Sequence, residues 1–336
     1  MIARAEAIFR QGTEGKKEEG MKTVYRICVA ALLLAVILCP VQAADILIPG
    51  GNTIGLSLQT DGVAVVDFSA ELPKKAGLRE GDLICAVDGR PVSTATQVTQ
   101  AVEASGGRPV ELTLKRGEEE KNVTLSPNQT SDGWRLGILV RDSISGIGTV
   151  TYYDPQTGSF GALGHGVGGK SGLLPMRGGS VLPSVITSVV KGKEGTPGAL
   201  QGSVTGRTAT GKIVKNTSCG IFGTMECPDA ATVDVATADQ VHTGGAVIRS
   251  NVRGDRVEEF EVKLAAIYPD DANDRNLLLQ VTDPDLLELT GGIVQGMSGS
   301  PILQDGRLVG AVTHVLVDDP TRGYGIFIGN MLNAAA

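Results

Sequence analysis

From about Ile48 onward the chain is built of short apolar runs broken by Gly, Asp and Pro, and few stretches carry apolar residues at helical spacing. Gly55-Leu56-Ser57-Leu58 and Gly62-Val63-Ala64-Val65-Val66 predict two short strands, and Leu83-Ile84-Cys85-Ala86-Val87 predicts another that ends in the tight turn Asp88-Gly89. Residues 94–105 place Val98, Ala101 and Val102 on one helical face, and Val110-Glu111-Leu112-Thr113-Leu114 alternates as a half-buried strand. The polar stretch 126–133 reads as a linker. Beyond it, residues 147–153, 181–190, 220–223, 262–268 and 277–281 predict strands, and only 284–289 and the last few residues look helical. Strands at this frequency predict a mostly β chain with a second unit, 134–336, folded as a barrel or sandwich.

The first 44 residues follow another pattern. Lys22 and Arg26 precede the apolar run 27–38, then Pro40 and the small-residue stretch Val41-Gln42-Ala43-Ala44, the layout of an export signal or short anchor over 21–44. The hydrophilic residues 1–20 do not fit such a signal, and translation is expected to start at Met21. The chain is expected to act outside the cytoplasmic membrane.

Composition narrows the function classes. Forty-six glycines without a three-residue period favour tight β connections over long helices or collagen. A formal net charge of −7 offers no basic face for phosphates, and nucleic acid is not an expected partner. Cys85, Cys219 and Cys227 lie outside the export segment at spacings that fit neither zinc nor a disulfide framework, and no cofactor or metal is expected.

In the first unit, Ala76-Gly77-Leu78 through Gly81-Asp82-Leu83-Ile84, followed by Val87-Asp88-Gly89, resembles a PDZ domain over 48–127. The resemblance implies that Thr53-Ile54-Gly55-Leu56 forms the loop that presents N–H groups to a peptide C-terminus, with the helix from Thr94 as the other wall of the groove. The chain's own N-terminal segment is a second expected occupant, and a groove filled internally is the alternative.

The sharpest chemical signal is Gly296-Met297-Ser298-Gly299-Ser300-Pro301. A serine between glycines on a tight turn exposes its hydroxyl, and the N–H groups of Gly296 and Ser298 are placed to form an oxyanion hole. The order resembles the Gly-x-Ser-Gly-x-Pro motif of chymotrypsin-like peptidases. The following strand, hairpin turn Asp305-Gly306 and second strand then imply that Thr313, His314 and Val315 line the substrate cleft. A serine nucleophile needs a base, and of His165, His242 and His314 the first lies between glycines that leave its imidazole accessible. Asp283, Asp285, Asp154 and Asp234 are candidates for the third member, and spacing does not choose among them.

Gly146-Ile147-Gly148-Thr149, Tyr153-Asp154-Pro155, Gly161-Ala162-Leu163-Gly164-His165-Gly166, Val281-Thr282-Asp283 and the run from Thr290 to Pro301, with Gly310-Ala311-Val312-Thr313-His314-Val315, resemble the stage IV sporulation protein B peptidases. The resemblance implies a chymotrypsin-like double β-barrel and a triad of His165, Asp283 and Ser298. It also implies a serine endopeptidase exported to the space between the two forespore membranes. There the family cleaves a membrane-tethered inhibitor of an intramembrane metalloprotease, which leads to activation of a late mother-cell sigma factor, and members cleave themselves near the N-terminus. Two departures stand out: Val167-Gly168-Gly169-Lys170 follows the histidine where the family often has an acid, and Asp283 lies only fifteen residues before Ser298. The rival from another class is a catalytically silent PDZ scaffold that binds a membrane complex. A quality-control peptidase of the HtrA type carries its PDZ after the peptidase, and an intramembrane metalloprotease needs a His-Glu-x-x-His motif that is missing here.

Overall fold

The computed structural model describes residues 46–117, 119–169 and 172–336, so the expected export segment lies outside the described residues. The chain enters through β1 (Ile46–Pro49) and β2 (Thr53–Phe68). The two short strands expected near its start are one strand of 16 residues, because Thr60-Asp61-Gly62 jogs the register instead of turning the chain back.

The PDZ unit follows as α1 (Glu71–Lys75), β3 (Leu83–Val87), α2 (Ala95–Ala104), β4 (Val110–Arg116) and β5 (Glu119–Leu125). Asp88 and Gly89 both take positive φ, 48° and 68°, the conformation a two-residue Asp-Gly hairpin turn requires. α2 opens with a capping box: the Thr94 hydroxyl accepts from Gln97 N–H and the Gln97 carboxamide returns a bond to Thr94 N–H. Its Val98 and Val102 pack with Val63, Val65, Ile84, Leu112 and Leu114 in a core separate from those of the barrels.

The chain returns through β6 (Ile138–Tyr153), which is also 16 residues long. Then come β7 (Ser159–Ala162), β8 (Met176–Val190), β9 (Gly211–Thr217) and β10 (Gly220–Met225). Strands β2, β6, β7, β10, β9 and β8 pair in that order and close through β8 on β2 to make the first barrel. The second barrel closes in the order β11 (Gly244–Arg253), β12 (Arg256–Ile267), β13 (Leu277–Val281), then β16 (Asp319–Phe327), β15 (Arg307–Leu316) and β14 (Pro301–Gln304). Helix α3 (Pro284–Thr290) precedes the Ser298 loop, and α4 (Ile328–Ala335) is the last element. The fold is mostly β, with two chymotrypsin-like barrels and a PDZ domain.

The two units are not laid end to end. β2 pairs through its first half with β8 and β6 inside the first barrel, and through Val63 and Ala64 with β3 of the PDZ sheet. β6 does the converse: Ile138 to Arg141 pair with Phe68 to Ala64 in the PDZ region, and Ser143 to Thr149 pair with Gln59 to Thr53 in the barrel. The PDZ unit is therefore an insertion between two staves of the first barrel, whose first strands precede it.

This corrects the expected peptide loop. Thr53, Ile54, Gly55 and Leu56 are strand residues hydrogen-bonded to β6 on one side, and Ile54 to Leu56 also to β8 on the other. All four are buried. Their N–H groups serve the barrel, so they do not form a carboxylate-binding loop; the alternating Ile54 and Leu56 that resemble the PDZ loop are there to fill the first barrel's core.

Candidate active site

The Ser298 loop joins α3 to β14. Gly296 and Gly299 hold φ of 98° and 96°, which glycine adopts without strain. Between them Met297 is fully buried and anchors the turn, with its N–H on the Val294 carbonyl and its own carbonyl accepting from Ser300 N–H. Ser298 stays half-exposed at the apex. The N–H groups of Gly296 and Ser298 have no backbone acceptor among the described residues, as an oxyanion hole requires.

The first barrel clamps this loop from β6. Thr149 Oγ1 donates to the Gly296 carbonyl at 2.8 Å, Thr149 N–H donates to the Ser298 carbonyl at 3.2 Å, and Thr151 Oγ1 donates to the Gly299 carbonyl at 2.8 Å. The approach is close: a Cβ on Gly299 would lie 2.1 Å from the Thr149 oxygen and 2.5 Å from the Leu163 nitrogen.

His165 stands on the loop after β7. Leu163 and Gly164 take φ of 72° and 67°, and the leucine's left-handed backbone is a conformation seldom tolerated by a bulky residue. The Thr149 carbonyl accepts from Leu163 N–H, and the Asn216 carboxamide bonds both N–H and carbonyl of Val167, so the histidine loop is pinned on each side. His165 Nδ1 lies 3.0 Å from the Gly166 carbonyl. A carbonyl only accepts, so in the neutral ring this contact favours the proton on Nδ1 and the lone pair on Nε2, the tautomer a general base needs.

Ser298 and His165 line one cavity of about 310 Å³ between the barrels, together with Gly296. Thr313, His314 and Val315 lie in β15 beside it. A register shift between Val312 and His314 turns the Thr313 carbonyl toward the nucleophile, and Ser298 Oγ donates to it at 2.7 Å. The serine hydroxyl thus rests on β15 and makes no hydrogen bond to His165. The His314 ring stands 5.1 Å from the His165 ring, centroid to centroid, at an interplanar angle of 38°. The pKa of His314 is pushed down to about 4, first by loss of hydration against the surrounding protein and then by the neighbouring His165 and Arg275 charges. The outer edge of the His314 ring stays exposed.

Asp283 is placed elsewhere. It is the N-cap of α3, its carboxylate accepting from Leu286 N–H at 2.9 Å and Glu261 N–H at 3.2 Å, and it makes no hydrogen bond to His165. The expected third member is a capping residue here, because an aspartate directly before Pro284 is the pattern that starts a helix. Asp154 is likewise occupied, by Gln156 N–H and the Thr157 hydroxyl. The sequence reading missed Thr149, although the run Gly146-Ile147-Gly148-Thr149 had drawn notice. A threonine on a barrel strand carries no sign of which loop it will meet across 147 positions.

Two chymotrypsin-like barrels thus meet at a serine loop and a histidine loop, and the first barrel is interrupted by a PDZ unit. A family model described as SpoIVB peptidase S55 matches residues 132–332, and one described as PDZ domain matches 53–126. The chain belongs to the SpoIVB peptidase S55 family. It is similar to the zinc metalloprotease RasP of Geobacillus kaustophilus (strain HTA426), 30% identical over 67 residues, which is 20% of this chain and 16% of that protein. It is 34% identical over 125 residues to the putative serine protease HhoB of Synechocystis sp., covering 37% of this chain and 27% of that one. This chain thus spans less than a third of either relative's length. Among solved structures, an inactive form of Rv3671c from M. tuberculosis H37Rv is 16% identical with a TM-score of 0.34, covering 56% of this chain and 81% of that chain.

Proposed function

We propose that this chain is a serine endopeptidase that cuts a membrane-tethered regulatory protein outside the cytoplasmic membrane, as a signal during sporulation. The observation that carries the catalytic part is the shared cleft of Ser298, His165 and Gly296, with His165 Nδ1 held 3.0 Å from the Gly166 carbonyl. The signalling part is supported by the family membership and by the motifs quoted from the sequence.

In this mechanism Ser298 Oγ leaves the Thr313 carbonyl, its proton passes to His165 Nε2, and the oxygen adds to the scissile carbonyl. The Gly296 and Ser298 N–H groups stabilise the oxyanion. His165 then gives the proton to the departing amine, and water, deprotonated by the same nitrogen, releases the acyl group. β15 pairs with the substrate backbone on the acyl side through Thr313 to Val315. The imidazolium formed on the way is oriented by a backbone carbonyl and the His314 ring instead of by Asp283.

The test combines labelling and cleavage. A serine-directed fluorophosphonate is expected to modify Ser298 in the wild-type chain and not in Ser298→Ala or, at any useful rate, in His165→Ala. A candidate membrane-tethered regulator is expected to be cut by the wild type alone. Equal labelling or cleavage by a well-folded Ser298→Ala chain would end the proposal and leave the silent scaffold in its place.

A further inference from the structure

The cavity that holds Ser298 and His165 extends away from them over an apolar surface. Its apolar walls are Leu56 and Leu58 of β2, Ile144 and Ile147 of β6, and Leu163 and Val167 of the histidine loop; Gly146 and the exposed, polar Gln295 complete it, and among the described residues no charged side chain lines it. The catalytic chemistry does not use these six residues. Leu56, Leu58 and Leu163 are buried at 5%, 1% and 5% exposure, so the floor is rigid. Ile144 stands at the rim at 36% exposure.

Its place relative to the serine is informative. None of Thr313, His314 and Val315 borders it, whereas the oxyanion glycine and the base do. With the acyl-side backbone on β15, a cavity that meets Ser298 from the first barrel lies where the departing amine leaves, next to the nitrogen that protonates it.

We propose that this cavity is the leaving-group subsite and that it selects substrates whose residue immediately after the scissile bond is a large aliphatic or aromatic one. This rests on the peptidase reading given above. An aliphatic or aromatic side chain removes the cavity wall and itself from water, whereas a charged one would be desolvated with no opposite charge among the described lining residues to meet it. A volume of about 310 Å³ is at the lower end for small-ligand sites, enough for one such side chain.

The experiment uses acyl transfer. The full chain is acetylated on Ser298 by p-nitrophenyl acetate, and amino-acid amides compete with water for the acetyl group. The amine nitrogen attacks the ester carbonyl, His165 takes its proton and returns it to Ser298 Oγ, and an N-acetyl amide leaves. Leucinamide and phenylalaninamide are expected to intercept the acyl-enzyme about tenfold or more better than the amides of lysine and aspartate, the discrimination an apolar pocket commonly supplies. Ile144→Glu is expected to raise interception by lysinamide, and Ile144→Lys to raise that by aspartic acid amide, with fluorophosphonate labelling of Ser298 unchanged in both. Equal interception by all amides, or a preference that neither rim variant moves, overturns the subsite while labelling stands. A chain in which Ser298 takes neither acetyl nor label overturns the peptidase reading and the subsite together.

Discussion

Replacing Thr149 by valine removes one hydroxyl from the seam between the barrels and keeps the shape of the side chain. Thr149 is fully buried, and its Oγ1 is the group that holds the Gly296 carbonyl at 2.8 Å. A neutral hydrogen bond contributes about 0.5–1.5 kcal/mol net, and an acceptor left without a replacement costs about 1–3 kcal/mol. The perturbation lands on the residue whose N–H is assigned to the oxyanion. If the whole cost is felt in the transition state, kcat falls about 5- to 150-fold at roughly 1.4 kcal/mol per decade. KM is expected to stay within about twofold, since the substrate-binding strand is untouched. The same loss of about 1–3 kcal/mol lowers Tm by about 2–12 °C, at about 2–4 °C per kcal/mol for a domain of this size. Active-site titration with the fluorophosphonate, followed by steady-state cleavage per titrated site, separates the two effects. A Thr149→Val chain with lowered Tm and unaltered kcat per site would refute the idea that this hydroxyl sets the oxyanion loop.

Three further outcomes are expected. Gly299→Ala must place a methyl group 2.1 Å from the Thr149 oxygen at a φ of 96°, so a chain with little folded protein or kcat down at least about 100-fold is expected, read by near-UV circular dichroism and labelling. Asp283→Ala removes a helix N-cap, lowering stability by about 0.5–2 kcal/mol in denaturant titration. Its kcat per folded site is expected within a few-fold of wild type, and a loss near 10⁴-fold would restore it to the triad. His314 resists protonation in the folded chain, with its pKa pushed down to about 4, while the unfolded imidazole titrates near its usual 6.5. The unfolded state therefore binds the extra proton in that window, and stability is expected to fall as pH drops from about 6.5 toward 4. His314→Phe should flatten that acid slope in thermal melts, and it should keep kcat near wild type, whereas His314→Ala loses the ring against His165.

Local geometry was legible where chemistry forces a local pattern. Gly296 through Pro301 declares a tight turn with an exposed hydroxyl, and His165 is framed by glycines that a loop needs. Strands β13, β14 and β15 and the Asp305-Gly306 hairpin turn, with φ of 51° and 75°, were equally readable from alternation and turn residues, whereas β11 was not predicted and β12 only in its second half. What failed were statements about partners across the fold. Asp283 has an acidic side chain at a plausible spacing, but Pro284 and the free N–H groups of a helix start compete for it and win. Thr53 to Leu56 read as a PDZ loop because a buried barrel strand and that loop share the same Ile-Gly-Leu spelling, and only pairing with β8 tells them apart. The single long β2 was hidden because Asp61-Gly62 has the composition of a turn whether or not the chain reverses there.

A domain on a flexible tether samples headings; one mounted on two antiparallel rails does not. Since β2 and β6 pass from the barrel wall into the PDZ sheet while still paired with each other, a ligand held by the inserted unit would arrive at the catalytic mouth at a set angle. For the same reason the insert has no natural cut point: excising residues from position 53 would strip the peptidase of a stave, and a working miniature would have to rejoin the rails near Gln59 and Ser143.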